Sequence, residues 1–256
     1  MDAVWWDGWV ARLRAMVPDA VAILAAGSHA RDEAGPHSDV DIRVLRPAGE
    51  TTYHALFERA STGRLRHVSV EVTSLGEWAA EADEPADWAL NLPSEQIERV
   101  VWATPEAAAH LGETPRRRQA AGALELEDFI EWAGKAKNAH AVGDSHGLRF
   151  AAQGQARLAP RLLLPLNAPP RACSARDALR VALALPVSPP GYVSDMQVCL
   201  GLDPTCPSDA EVAMASRRLA LGILAMLRER APDAVPEADL RAALLDGTLA
   251  EYLAQD

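Results

Sequence analysis

The chain has 256 residues, is 49% hydrophobic and 24% charged, and carries a formal net charge of −11. These are the proportions of a soluble globular protein with room for one large core or two modest ones. No apolar run approaches the ~20 residues that span a bilayer, and the acidity argues against a nucleic-acid backbone as partner and favours a cationic one.

The N-terminal stretch, MDAVWWDGWVARLRAM, lacks a basic start and a small-residue cleavage site, so a cytoplasmic location is expected. Cys173, Cys199 and Cys206 are odd in number and show no CxxC spacing, so reduced structural thiols are expected. Residues 4–17 read as an amphipathic helix with Val4, Trp5, Trp9, Leu13 and Met16 near helical spacing, stopped by Pro18. Val21 to Ala26 is a short apolar strand leading into a Gly27-Ser28 turn, and Ser28 to Asp32 starts a helix that Gly35-Pro36 breaks.

The segment from Asp39 to Leu45 alternates acids with apolar residues. As a strand it directs Asp39 and Asp41 to one face while Val40, Ile42 and Val44 face a core. Two carboxylates that close repel unless a hard cation lies between them, and Mg²⁺ is the usual one. A small Gly-Ser turn opening a helix offers backbone N–H groups and a hydroxyl to an anion. The set together describes a Mg²⁺-nucleotide site.

Thr51 to Ser61 is expected to be a helix, and RHVSVEVTSL a half-buried strand with Val68, Val70 and Val72 on one face and Ser69, Glu71 and Thr73 on the other. Beside the aspartate strand, Glu71 would be a third carboxylate. The acid-rich run from Glu77 to Asp87 reads as a solvated helix face, and residues 97–104 as another strand. Arg116, Arg117 and Arg118 read as a solvated interdomain segment, which places a boundary at residue 118. Helical periodicity then covers 119–142, 146–159, 174–185, 209–230 and 237–253. The expected fold is α+β: a domain over 1–118 carrying the GS…DxD site, with a mixed sheet and helices, and a helical bundle over 119–256.

Glu127, Glu131 and Lys135 recur at i+4 spacing, so they share one face of the first of these helices. Around them, EDFIEWAGKAKN resembles the helical-domain motif of the aminoglycoside 4′-O-nucleotidyltransferases, the kanamycin nucleotidyltransferase family within the DNA polymerase β-like superfamily. GSHARDEAGPHSDVD is similar to that family's GS-x-x-R…GP-x-SD-x-[DE] segment. VEV around Glu71, the Asp87-Trp88 pair and the Pro190-Gly191-Tyr192 turn follow in the family's order. The likeness runs from about residue 20 to 230 and departs between Ser61 and His67, where Arg64 and Arg66 stand in place of an acid.

The resemblance implies that Asp39 and Asp41 hold Mg²⁺ against the phosphates of ATP, with Glu71 a metal or substrate contact. It implies that Gly27, Ser28, Arg31 and Lys135 bind the triphosphate, that Glu131 is the catalytic base, and that Glu127 and acids of the 77–87 run such as Asp87 meet substrate ammonium groups. It also implies a homodimer with shared active sites. The function expected is transfer of AMP from ATP to an aminoglycoside hydroxyl, 4′ in that family, conferring antibiotic resistance. The alternatives are the same chemistry on another small hydroxylated molecule, a lincosamide or a biosynthetic intermediate, or a non-catalytic antitoxin-type protein of this fold.

Overall fold

The computed structural model describes residues 3–59, 63–86, 88, 90–112 and 116–255. They fall into two compact units, Met1–Glu84 with Glu95–Ala120, and Pro85–Ser94 with Ala121–Asp256. The architecture is α+β, with a mixed sheet in the first unit and helices in the second.

The first unit is built on a five-stranded sheet. Its strands are β1 (Ala22–Ala25), β2 (Val40–Arg46), β3 (Thr52–Arg59), β4 (Leu65–Ser74) and β6 (Arg99–Ala103), in the spatial order β3-β4-β2-β1-β6. β2 and β4 run parallel and the other pairs antiparallel. Helix α1 (Ala3–Met16) covers one face through Trp6, Trp9 and Leu13, and Val17 just beyond it; these pack on Val40, Ile42, Val44, Val68, Val70 and Val72. The buried stripe is rotated by a residue from the expected one. Val4 is 79% exposed, and Trp5 turns its indole N–H to Glu58 at 2.8 Å instead.

On the other face, Leu24, Leu45 and Ala22 are covered by Trp78 of α3 (Leu75–Ala80) and by Ala107 and Leu111 of α4 (Pro105–Leu111). Ser74 and Glu77 form a capping box at the start of α3, and Thr104 caps α4, so both short helices begin where their sequences provide a side-chain acceptor. This cover is confined to part of the face. The end of β2 carrying Asp41 is only half-buried.

Two expectations are overturned in this unit. The stretch read as a helix from Thr51 is strand β3, antiparallel to β4 in the register Tyr53↔Glu71 and Phe57↔His67; Ser61 lies outside the described residues. Tyr53-His54-Ala55-Leu56-Phe57 has no decisive period of its own, and the unpaired edge of β4 dictates its conformation. Arg116 to Arg118 do not form a solvated linker. They belong to β7 (Arg116–Gln119), which pairs with β5 (Ser94–Ile97), and Arg117 is buried while Arg116 and Arg118 are exposed.

The second unit contains α5 (Leu126–Ala141), α6 (Ser145–Leu162), α7 (Ala175–Leu183), α8 (Tyr192–Cys199), α9 (Asp209–Arg230), α10 (Ala238–Asp246) and α11 (Thr248–Ala254). Its core joins Phe129, Leu148, Met196, Leu219, Ile223 and Leu227. Inside it, the Gln155 amide donates to the Ser216 carbonyl at 3.0 Å, tying α6 to α9. At Gly154 a Cβ would lie 2.7 Å from the Trp132 ring, so glycine lets α5 and α6 approach. Helix α8 falls outside the expected periodic segments. The last expected helix is two, broken at Gly247, whose φ is +90°.

Candidate functional site

The alternation in β2 places Val40, Ile42 and Val44 in the core and Asp41 and Arg43 on the face away from α1. Asp39 immediately precedes the strand, with its side chain 54% exposed. β1 runs antiparallel beside β2, and the Ala26 N–H donates to the Asp41 carbonyl at 2.9 Å, which seats the following turn, α2 (Gly27–Ala30), against the acid. Gly27 has φ +60°, and a Cβ on it would lie 2.1 Å from Asp41 Oδ2. The conformation favours glycine, and any larger residue would also displace the Asp41 carboxylate. Ala26, at the N-cap of this turn, supplies no side-chain hydrogen bond.

Burial, and then the neighbouring Asp39 charge, push the Asp41 carboxyl above its ordinary range. A cation between the two would relieve both effects. The donor set suits Mg²⁺, which takes one or two carboxylates and completes its shell with phosphate oxygens and water. Among the described residues no group of three or more His, Cys, Asp or Glu gathers as a metal cage, so those further ligands would be the nucleotide's own.

Ser28 lies on the α2 turn and is half-buried, and Arg31 caps its end, donating from Nε to Glu33 at 3.0 Å. The turn also contains His29, which the sequence reading passed over. Its Nε2 is buried with no hydrogen-bond partner among the described residues, and burial chiefly lowers its pKa, keeping the imidazole neutral.

β4 does lie beside β2, but the register aligns Asp41 with Ser69 and Glu71 with Arg43. Glu71 accepts from Arg43 Nε at 2.8 Å, and Arg43 also meets Glu81 at 2.8 Å and Glu98 at 3.1 Å. Arg117 meets the same two acids, Glu81 at 2.8 Å and Glu98 at 3.1 Å, and the Trp78 indole donates to Glu98 at 2.9 Å. Two guanidinium groups thus face three carboxylates, leaving one negative charge in excess. Burial pushes Glu81 up to about 7, so the cluster retains a proton toward neutral pH.

Arg43, Glu81, Glu98 and Arg117 were not anticipated as a group. Arg43 was findable, because it continues the i, i+2 row of Asp39 and Asp41. The acidic run from Glu77 contributes Glu81 to this cluster instead of lying wholly in solvent.

In the second unit, Glu127, Glu131 and Lys135 are all exposed on α5. Lys135 Nζ bonds Glu131 at 2.9 Å and sits 4.5 Å from the Trp132 ring centroid. Glu127 stands one turn before that pair. Asp87 lies outside the described residues. The structure therefore gathers Gly27, Ser28, Arg31, Asp39 and Asp41 in one unit and aligns Glu127, Glu131 and Lys135 on one helix of the other.

No helix among the described residues is long and apolar enough to cross a membrane. Residues 125–229 match the family described as nucleotidyltransferase, substrate binding domain. No curated protein matches the chain significantly. Among solved structures, a nucleotidyltransferase-like protein from Exiguobacterium sibiricum aligns over 94% of this chain and 87% of its own, at 14% identity and a TM-score of 0.39. The match over residues 125–229 supports the nucleotidyltransferase superfamily, and with it nucleotidyl transfer as the general chemistry.

Proposed function

We propose that the protein transfers AMP from ATP, with Mg²⁺, to a hydroxyl of an aminoglycoside, the 4′ hydroxyl by resemblance, and so confers resistance. The observation that carries the reading is the pressing of Gly27 against Asp41, with Asp39 beside it. A backbone turn suited to phosphate touches a carboxylate pair suited to a hard cation.

When bound, Mg²⁺ would neutralise charge on the phosphates as the bond to pyrophosphate breaks. Asp39 and Asp41 would hold it. Ser28, Arg31 and Lys135 bind and orient the triphosphate, and Glu131 accepts the proton of the attacking hydroxyl. The acceptor oxygen bonds to the α-phosphorus, the bond to the β-phosphate oxygen breaks, and pyrophosphate leaves. Glu127 pairs with a substrate ammonium group. The homodimer with shared sites is part of this proposal.

A second reading, the same transfer to another small hydroxylated molecule, is favoured by one feature. Glu71 is paired with Arg43, which leaves less free negative charge for a polycation than the number of acids suggests. Incubation with ATP, Mg²⁺ and a panel of aminoglycosides, followed by mass spectrometry, separates the two. An added AMP on any of them supports the first reading. No adduct on any aminoglycoside, with one on a lincosamide, moves the assignment to the second.

A further inference from the structure

The strand register arranges the face opposite α1 into three rows, each crossing β3, β4 and β2. Tyr53, Glu71 and Arg43 form one row, in which the Tyr53 hydroxyl bonds Glu71 and Glu71 bonds Arg43 at 2.8 Å. Phe57, His67 and Asp39 form another, by continuing the same register. There the Phe57 and His67 rings are 5.2 Å apart, and His67 Nδ1 lies 3.9 Å from Asp39 Oδ2. Between them runs Ala55, Ser69 and Asp41, of which Ala55 and Ser69 are small.

The linked outer rows are ribs, and the middle row is the floor of a trough. Tyr53 and Phe57 are four residues apart, about 13 Å at ~3.3 Å per residue, so the free width once both rings are counted suits a single six-membered ring. The two are 73% and 66% exposed. β3 is the sheet edge, so the trough opens to solvent at Ala55 and ends at Asp41.

We propose that this trough is the acceptor subsite: one hydroxyl-bearing ring lies over Ala55 and Ser69, walled by Tyr53 and Phe57, with its hydroxyl directed to Asp41. The inference rests on the transfer reading above and adds its specificity determinants. Contact with aromatic walls holds the ring, because Glu71, the remaining acid along the trough, is committed to Arg43.

The test uses the full chain with ATP, Mg²⁺ and kanamycin, and reads both steady-state transfer and saturation-transfer NMR contact to kanamycin. Ala55→Phe fills the trough from an exposed edge position. His54→Phe puts the same ring on the opposite face and controls for strand disturbance. Ala55→Phe is expected to raise the acceptor KM about tenfold or more and to erase the NMR contact, with the KM for ATP within about twofold; His54→Phe should change neither. Phe57→Ser, which removes a wall without adding bulk, should raise the acceptor KM about fivefold.

An unchanged acceptor KM and contact in both trough variants overturns the subsite. So does a changed oligomeric state with unchanged KM, which would mark the face as an interface between copies. If the unmodified protein transfers nothing to kanamycin but its NMR contact vanishes in Ala55→Phe, the transfer reading fails and the subsite stands. If it makes no contact at all, the subsite fails.

Discussion

Two acid clusters share one face of the same sheet, and they are opposite in electrostatic character. Asp39 and Asp41 stand together without an arginine partner at hydrogen-bonding distance, one exposed and one half-buried, and the second is pushed toward protonation by burial and then by its neighbour. One pleat further along, Glu71, Glu81 and Glu98 are gripped by Arg43 and Arg117. The first pair is an unfinished site whose repulsion a ligand would relieve. The second is a finished structural joint. The lesson is that acids near a site are not equivalent: a buried arginine partner, more than position, withdraws a carboxylate from chemistry.

The contrast can be broken most sharply at Asp41. Asp41→Asn should lower AMP transfer by about a thousandfold or more while leaving the denaturation midpoint unchanged or slightly higher, since it removes a repulsion. Near-normal turnover would sink the metal assignment. Arg117→Ala should do the reverse. It takes from buried Glu98 one of its two arginines, leaving Arg43 and the Trp78 indole, and should cost about 3 kcal/mol of stability in urea titration; a loss below about 1 kcal/mol would show that the joint is solvated.

The smallest effect concerns Glu81. Its folded-state pKa is raised to about 7, so the folded chain holds more protons than the unfolded chain between the ordinary carboxylate range and that value. Stability therefore falls as pH rises through this window, by about 1–2 kcal/mol at pH 8 once solvent screening of this half-buried carboxylate is discounted. Glu81→Gln should flatten that slope, and an unaltered pH–stability profile would contradict the excess charge.

Much of the first unit was legible because β2 and β4 alternate strictly, and alternation is read directly from the residues. The same rule located Asp39 and Asp41 on one face. It could not locate β3, whose pattern is imposed by pairing with β4. Nor could it expose Arg117. Alternation is invisible in Arg-Arg-Arg, and its partners Glu81 and Glu98 are distant in sequence, so nothing local marks the middle arginine as buried. Helix α8 was hidden by its short length behind Pro189-Pro190-Gly191. Gly247 divided α10 from α11 with a left-handed residue that helical periodicity does not register.

The segment Pro85–Ser94 has a consequence for dissecting the protein. The chain enters the second unit there, returns to the first at Glu95, and leaves it again at Ala121. Leu92 and Ser94 are fully buried, the Ala172 N–H donates to the Pro93 carbonyl at 3.1 Å, and the Gly122 N–H donates to the Asn91 carbonyl at 3.3 Å. The second unit is thus discontinuous in sequence. A fragment beginning at Ala121 lacks a strap that its own fold requires, so the two units cannot be separated by a single cut. During synthesis that strap emerges long before Ala172, and it must wait for its partner to be made.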